Sequence, residues 1–443
     1  RTSPFRRERL YCAGWRYSTY KVSRVMNENV LIINSSELIA PRSDKGKPLR
    51  GKKLRELDII KDGAVFISNG RIKDFGKTKY LLDKYSNSKI IDALGSVVMP
   101  GLIDPHTHLV FAGSREEEFL LRLRGEDYLK VLNKGGGILS TVTDTRKASI
   151  DELYSLSYNR IKKMISYGTL ALEIKSGYGL NLEDEVKILS VIAKLKEEFD
   201  IPIKSTLLAA HALPQEFAGN KNAYIDFICE VIIPNVAKRG IADFNDAFCE
   251  KDVFDVEDCR KILQTGLQYG LKPKLHTDEF YSLGGISLGR ELNAISLDHL
   301  VNSKIDELKK LSESETIAVI LPGTYFGLRE CRTNYAREII DSNIPLAIGT
   351  DFNPGTCMCY SMQTMIELSV LKLDLLVEEA INAATVNAAF ALCLQDEAGS
   401  LEENKMGNFI FLDIKNYKEI PYIWGTNKVY KVVINGKEVN LFS

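Results

Sequence analysis

This sequence has little net charge, no long apolar run and no regular cysteine spacing. Each of these absences argues against one class of protein. The 443 residues carry a formal net charge of -1, which gives no electrostatic reason to expect nucleic acid or an anionic membrane as a partner. No apolar run approaches the roughly 18–20 residues that span a bilayer. The eight cysteines are scattered rather than arranged as a disulfide framework, so we expect reduced thiols in a cytoplasmic protein.

The rest of the composition, with 45% hydrophobic and 26% charged residues, is typical of a globular enzyme with a large core. Residues 1–25 differ, because they hold seven basic residues against one acid and no apolar stretch of signal-peptide length. We expect them to form a poorly ordered extension. Met26 then precedes the first strand-like pattern.

Both ends of the remaining chain have the alternation and turn signals of β-strands. Strands are predicted near 30–33, 64–67, 89–92, 408–412 and 429–434, with turns at Asp62-Gly63 and Asn69-Gly70. The C-terminal strands are too few for a core of their own. We therefore predict a small β-sandwich domain built from both chain ends, residues 26–97 plus 397–443.

The middle of the chain, residues 98–396, alternates short apolar runs with stretches of helical period. A capping box at Ser149 to Glu152 marks one helix start. Eight such strands and helices predict a TIM-like (β/α)8 barrel, with an open doubly wound sheet as the alternative. No G-x-G-x-x-G follows the first strand, which counts against a dinucleotide-binding sheet. The eight predicted strands are 97–103, 169–174, 203–210, 242–248, 271–275, 294–297, 316–321 and 345–349.

The chain has only five histidines, and all of them follow one of these apolar runs. The reactive groups of a barrel lie just past its strand ends, on one face. Histidines of an ordinary core would rarely all fall there. The histidines are His106, His108, His211, His276 and His299.

Three of these histidines and one aspartate could hold a metal ion. His106 and His108 are two residues apart, so extended backbone points them to the same side. Catalytic zinc uses about three protein ligands and an open position, and His276 and Asp351 could complete that set. Asp351 could instead cap a helix. The same nitrogen and oxygen donors suit iron, so we predict one metal ion per chain, Zn²⁺ or iron as Fe²⁺ or Fe³⁺.

A metal that activates water also needs a group to take and return the proton. Glu279, three residues past His276, and His299 are both candidates. The alternatives are a solvated carboxylate at a helix start for Glu279 and a buried imidazole tied to Asp298 for His299.

Two more side chains indicate what the site would bind. Arg115, seven residues past His108, could grip a carboxylate with two hydrogen bonds, although a surface arginine is the simpler interpretation. Tyr178 lies between two glycines, which suggests a flexible binding loop with an exposed phenol, although an ordinary turn tyrosine fits as well.

Five segments together resemble the imidazolonepropionases of the amidohydrolase superfamily, over a stretch from about Met26 to the end. They are His-Thr-His-Leu-Val-Phe-Ala-Gly-Ser-Arg at 106–115, Glu-Ile-Lys-Ser-Gly-Tyr-Gly at 173–179, Ala-Ala-His-Ala-Leu-Pro at 209–214, His-Thr-Asp-Glu at 276–279, and Gly-Thr-Asp-Phe-Asn-Pro-Gly-Thr at 349–356.

The resemblance implies a mononuclear zinc or iron site on His106, His108, His276 and Asp351. It also implies that His211 binds substrate rather than metal, which spacing alone leaves open. The implied substrate pocket consists of Arg115, Tyr178, His211, Glu279, Asn353, Gly355 and Thr356.

The implied reaction is hydrolysis of 4-imidazolone-5-propionate at its ring amide C–N bond, which gives N-formimidoyl-L-glutamate in histidine degradation. Glu279 and His299 would handle its protons. A small molecule is then the main partner, and a homodimer is left open. The alternative enzyme is a related deaminase of a cyclic amidine or aminopyrimidine, which would release ammonia. A catalytically inactive barrel used for assembly would be expected to lack the ligand set.

Overall fold

Two eight-stranded sheets organise the residues that this computed structural model describes, which are 28–124 and 137–440. The predicted extension at residues 1–25 lies outside these ranges. In chain order the strands are Asn29–Ala40 (β1), Asp58–Ser68 (β2), Arg71–Lys77 (β3), Lys89–Asp92 (β4), Val97–Pro100 (β5), Leu102–Asp104 (β6), Thr169–Lys175 (β7), Ile203–Ala210 (β8), Phe244–Cys249 (β9), Lys272–Thr277 (β10), Ser296–His299 (β11), Ile317–Ile320 (β12), Leu346–Ile348 (β13), Phe409–Leu412 (β14), Val429–Ile434 (β15) and Lys437–Val439 (β16).

Helices connect the strands and pack against the sheets. The start predicted at Ser149 is confirmed, because Ser149 Oγ accepts a hydrogen bond from Glu152 N at 3.2 Å. The α-helices are Thr78–Lys84, Glu116–Leu123, Ile138–Lys147, Ile150–Ser166, Leu182–Glu198, Lys221–Phe227, Ile233–Arg239, Val256–Gln268, Gly285–Glu291, Ile305–Lys309, Pro322–Gly327, Tyr335–Asp341, Met362–Lys372, Val377–Ala383, Val386–Ala391 and Glu419–Tyr422.

The strands β6 to β13 form a parallel sheet in sequence order, which confirms the (β/α)8 barrel. The segments that follow the first and last strands bring its two edges together. Asp351 N donates to His106 O at 2.9 Å, and His108 N donates to Phe352 O at 3.0 Å. The carboxyl ends of all eight strands therefore meet at one mouth.

Residues from both ends of the chain build the second sheet, as predicted. Its order is β16-β15-β14-β5-β1-β2-β3, with β4 beside β1. Asn69-Gly70 makes the turn between β2 and β3, with φ values of 52° and 74°. The turn predicted at Asp62-Gly63 is wrong, because both residues lie inside β2, although Asp62 has a φ of 49°.

The single predicted strand at 97–103 is divided between the two sheets. Pro100 in β5 pairs with Phe409 in β14, whereas Leu102 in β6 pairs with Thr169 in β7. Gly101 makes the change of sheet, and a Cβ at Gly101 would lie 2.4 Å from Leu170 Cβ. The apolar run is continuous in sequence because both halves are buried.

The seven cysteines within residues 28–124 and 137–440 are all free thiols. Among the same residues, the helices are all too short or too polar to cross a membrane. The cytoplasmic location, the homodimer and the domain boundaries near 97 and 397 stay predictions.

The close contact at Gly101 predicts a loss of stability when a methyl group is added there. Gly101→Ala should lower the free energy of unfolding by about 1–3 kcal/mol, because the new methyl meets a packed leucine. Gly76→Ala is the matched control, since the nearest atom to its Cβ would be 4.0 Å away. The midpoint of thermal unfolding measures both, and equal midpoints for the two variants would show that Leu170 has room to move.

Candidate active site

Four side chains meet at the mouth of the barrel, and they are the four predicted as metal ligands. His106 and His108 follow β6, His276 lies near the end of β10, and Asp351 follows β13. His108 Nε2 lies 3.3 Å from His106 Nε2 and 3.4 Å from His276 Nε2. Asp351 Oδ1 lies 3.4 Å and 3.5 Å from the Nε2 atoms of His106 and His108. All four side chains are buried.

Neighbouring oxygens lie close to three of these side chains, and two of the three contacts are hydrogen bonds. His106 Nδ1 donates to Asp298 Oδ2 at 2.6 Å, so its Nε2 lone pair is directed into the cluster. His276 Nδ1 lies 3.0 Å from Asp246 Oδ2. Thr324 Oγ1 donates to the outer oxygen of Asp351 at 2.6 Å, which leaves Oδ1 facing the histidines.

The spacing of these atoms fits residues that would hold one metal ion in common. Ligand atoms about 2.0–2.1 Å from such an ion are separated by roughly 3.3–3.4 Å, close to the separations found here. Burial lowers the pKa of His106, His108 and His276 well below the ordinary value, so the three imidazoles are neutral. Lone pairs that converge at these distances repel each other unless a cation lies among them.

Glu279 and His299, the predicted proton-transfer groups, lie beside the cluster. The His299 ring centroid is 5.3 Å from that of His276, and His299 Nδ1 is 3.7 Å from Glu279 Oε2. Burial lowers the pKa of His299 to about 4 and raises the pKa of Glu279 well above its ordinary value. The alternative interpretation, in which His299 is hydrogen-bonded to Asp298, is wrong. Asp298 instead accepts a hydrogen bond from His106.

Hydrogen bonds anchor the loop that carries Tyr178, and the prediction of an exposed phenol is wrong because the side chain is buried. Tyr178 is 2% exposed, and its ring centroid lies 5.6 Å from that of His211. The carboxylate of Glu185 accepts from the backbone N–H groups of Gly179 and Leu180 at 2.8 Å each. The glycines allow this close approach: a Cβ at Gly179 would lie 2.4 Å from Glu185 N.

His211 packs against the four predicted metal ligands, but its ring nitrogens are not among the atoms that converge there. Its ring stacks on His108 at a centroid distance of 4.9 Å, and its Nδ1 lies 3.1 Å from Gly177 O. Burial lowers the pKa of His211 to about 4, so it too is neutral. This position on the inner wall of the mouth is consistent with contact to a bound substrate.

Arg115 is a nearly buried arginine in the same wall rather than a surface residue. Its Nε donates to Glu118 Oε2 at 2.8 Å and its Nη2 to Glu118 Oε1 at 2.5 Å. Its Nη1 faces Gly355, where a Cβ would lie only 2.4 Å away. One edge of the guanidinium is therefore held by Glu118, and the donors at its other end stay available for an anion.

The segment after Asp351 is a turn stabilised by the side chain of Asn353. Asn353 Oδ1 accepts from Gly355 N at 2.8 Å and from Thr356 N at 2.9 Å. Its Nδ2 donates to Thr356 Oγ1 at 2.8 Å. These three residues of the predicted pocket thus reach the mouth as one unit beside Arg115.

Sequence reasoning missed a layer of charged side chains inside the barrel, directly beneath the histidines. These residues interrupt apolar strands at alternate positions, so strand periodicity could have placed them in the interior. Each of them is fully buried. They are Glu173, Lys175, Asp246, Lys274 and Asp298.

Comparisons with known proteins agree with this fold and show the family. The profile of the Amidohydrolase family matches residues 293–439. Imidazolonepropionases from Christiangramia forsetii and Alkaliphilus oremlandii are each 41% identical, with 92% and 94% of this chain covered and 99% and 98% of theirs.

The solved structures with a similar fold have low sequence identity. An adenosine deaminase from Xanthomonas campestris with bound zinc has a TM-score of 0.69 at 17% identity, covering 93% of this chain and 92% of its own. The Escherichia coli guanine deaminase has a TM-score of 0.70 at 14% identity, covering 94% and 99%. At this identity the likeness shows the shared barrel fold alone.

The convergence of nitrogens predicts that His276 is needed to hold a metal ion. His276→Ala should weaken zinc affinity by more than the roughly 100-fold that loss of an outer partner costs, because it removes a donor atom. His211→Ala is the matched control, since its ring is close by but outside the cluster. Metal analysis after dialysis measures both variants, and full occupancy in H276A would remove His276 from the ligand set.

Proposed function

The chain belongs to the imidazolonepropionase family, and we propose that the mouth of its barrel is where 4-imidazolone-5-propionate is hydrolysed. The enzyme is a hydrolase of carbon–nitrogen bonds in histidine degradation, and its product would be N-formimidoyl-L-glutamate. The observation that carries the proposal is the meeting of three imidazole nitrogens and a carboxylate oxygen beside Glu279 and Arg115. A metal ion, a proton carrier and an anion-binding group are what this reaction requires.

Amidohydrolases are metal-dependent, and His106, His108, His276 and Asp351 are the residues we propose to hold the metal ion. We propose one ion per chain, zinc or iron, because neutral imidazoles with one carboxylate suit both. When bound, such an ion polarises the ring carbonyl and lowers the pKa of water.

Glu279 is the residue we propose to move the proton. Hydrolysis adds a water oxygen to the ring carbonyl carbon, breaks the bond from that carbon to the ring nitrogen, and leaves the nitrogen with a proton. The carboxylate takes a proton from water and returns it to the departing nitrogen. Burial raises its pKa well above the ordinary value, which favours the protonated form that returns the proton. His299 is neutral, so it can donate through one ring nitrogen and accept through the other.

Arg115 is the residue we propose to bind the propionate group. Glu118 holds the Nε edge of its guanidinium, and the opposite end faces the turn at Gly355. A substrate carboxylate bound there is kept away from the metal ligands. Tyr178, His211, Asn353 and Thr356 complete the pocket around the ring and its side chain.

The activity is tested by mixing the purified, metal-loaded enzyme with imidazolonepropionate. The ultraviolet absorbance of the ring should fall with no release of ammonia, whereas a deaminase would release it. Glu279→Gln, which keeps the size of the side chain, should lower kcat by roughly 10²–10⁴-fold while retaining the metal. Loss of absorbance at an equal rate in E279Q would contradict the assigned proton carrier. No reaction in the wild-type enzyme would contradict the function.

The role of Arg115 predicts an effect on substrate binding. Arg115→Met should raise KM by roughly 10–100-fold, with a smaller change in kcat, because a charge-assisted hydrogen-bonded pair contributes about 1.5–3 kcal/mol. Arg290→Met is the control, since Arg290 lies on the outer helix Gly285–Glu291. Steady-state kinetics distinguish the two variants, and an unchanged KM in R115M would exclude the propionate contact.

A further inference from the structure

Lys175 lies at the centre of the charged layer inside the barrel, where its ammonium group meets three carboxylates. Lys175 Nζ lies 2.8 Å from Asp246 Oδ2, 3.0 Å from Glu173 Oε2 and 3.3 Å from Asp298 Oδ2. The contact with Asp246 is a hydrogen bond, and the contacts with Glu173 and Asp298 are ion pairs at close range. All four side chains have no exposed surface.

Two of these carboxylate oxygens are also the atoms that face metal-binding histidines. Asp298 Oδ2, which contacts Lys175, accepts from His106 Nδ1 at 2.6 Å. Asp246 Oδ2, which also contacts Lys175, lies 3.0 Å from His276 Nδ1. Lys175 therefore connects two histidines on different strands through one oxygen of each aspartate.

The position of Lys175 also follows from the strands. It lies on β7 two residues after Glu173, so both side chains point into the barrel. Its own backbone N–H donates to Thr107 O at 2.8 Å, within the His-Thr-His segment. Main chain and side chain thus both tie Lys175 to the ligand set. Among the described residues, His108 Nδ1 has no hydrogen-bond partner, and His276 Nδ1 meets Asp246 as a close polar contact rather than as a hydrogen bond.

We propose that Lys175 is a positioning residue for the metal site, which orients the His106 and His276 rings by fixing the aspartate oxygens behind them. This inference rests on the metal site of the proposed function. Without the ammonium group, the two aspartates, which lie on the strands on either side of β10, would repel and turn their oxygens away from the rings. Each ring would then lose the partner that aims its Nε2 at the metal, and affinity for the ion would fall.

The competing view is that Lys175 only balances buried charge and stabilises the fold. Lys428 provides a matched control, because it is also a buried lysine, bonded to a buried carboxylate, Glu367 Oε1 at 2.7 Å. That pair joins β15 to the helix Met362–Lys372, away from the charged layer under the mouth. Replacing either lysine removes a buried cation, but only Lys175 touches the aspartates behind the histidines.

The test compares zinc affinity in Lys175→Met, Lys428→Met and wild type, each stripped of metal and titrated against a chromophoric chelator. We expect K175M to bind zinc roughly 10–100-fold more weakly and K428M to bind as wild type does. At saturating zinc, K175M should have a lower kcat with little change in KM. The visible spectrum of the cobalt(II)-substituted protein should change in K175M and not in K428M, because the ligand rings turn.

Wild-type zinc affinity in a folded K175M, with an unchanged cobalt spectrum, would overturn the inference and leave the proposed function intact. A wild-type chain that binds no zinc, iron or cobalt would overturn the metal site itself. If K175M does not fold, Lys175→Gln retains N–H donors for a carboxylate without the charge, and the same comparison with K428M applies to it. A K175Q variant with wild-type zinc affinity would equally overturn the positioning role of the charge.

Discussion

A carboxylate buried inside a barrel stays ionised only where a cation or several N–H donors face it, because the protein interior solvates charge poorly. Three such carboxylates lie under the mouth of this barrel, and the ammonium groups of Lys175 and Lys274 are what they face. Burial alone would lower the pKa of Lys175, but Asp246, Glu173 and Asp298 raise it above its ordinary value, so the side chain is charged. The direction of the imidazoles above depends on this pairing. The barrel has thus replaced part of its usual aliphatic filling with an ionic layer that serves the site.

The parallel strands bring the reactive groups together, and local backbone strain gives them their final directions. Asp278, His299, Leu300 and Asp351 are not glycines, yet their φ values are 58°, 79°, 62° and 50°. Hydrogen bonds hold two neighbouring strand ends in this conformation, from Leu300 N to Thr277 O at 3.1 Å and from Asn302 N to Asp278 O at 2.8 Å. Such conformations cost about 1–3 kcal/mol each and are found where the surrounding structure over-determines them. The strand ends β10, β11 and β13 carry this strain, and they also carry His276, His299 and Asp351.

Three features could be predicted from the sequence: the barrel, the sheet built from both chain ends, and the grouping of the predicted ligands. They follow from strand periodicity, which is local, and from the rule that parallel strands end at one common edge. The chemical roles of those ligands stay predictions. Features that depend on partners distant in sequence were missed. The change of sheet at Gly101 could not be seen in the sequence, because the residues before and after it are all apolar and buried. The Asp62-Gly63 pair was expected to be a turn because Asp-Gly is a typical turn dipeptide, but the positive φ of Asp62 lies inside a continuous strand. Tyr178 was expected to be exposed because glycines flank it. The sequence did not show that Glu185, in the helix that follows, holds this loop against the barrel. No role was predicted for Lys175, since its partner Asp246 is 71 residues away in the sequence.

The strand β5 lies between β1 and β14, with Val98 opposite both Leu38 and Phe411. Its two neighbours are made at very different times. At about 5–20 residues per second, a ribosome needs about 15–60 s to add the roughly 300 residues that separate Val98 from Phe411. Until then one edge of an apolar strand has no partner, and a free edge pairs readily with other chains. That open edge therefore exposes the growing chain to pairing with other chains until β14 has been made.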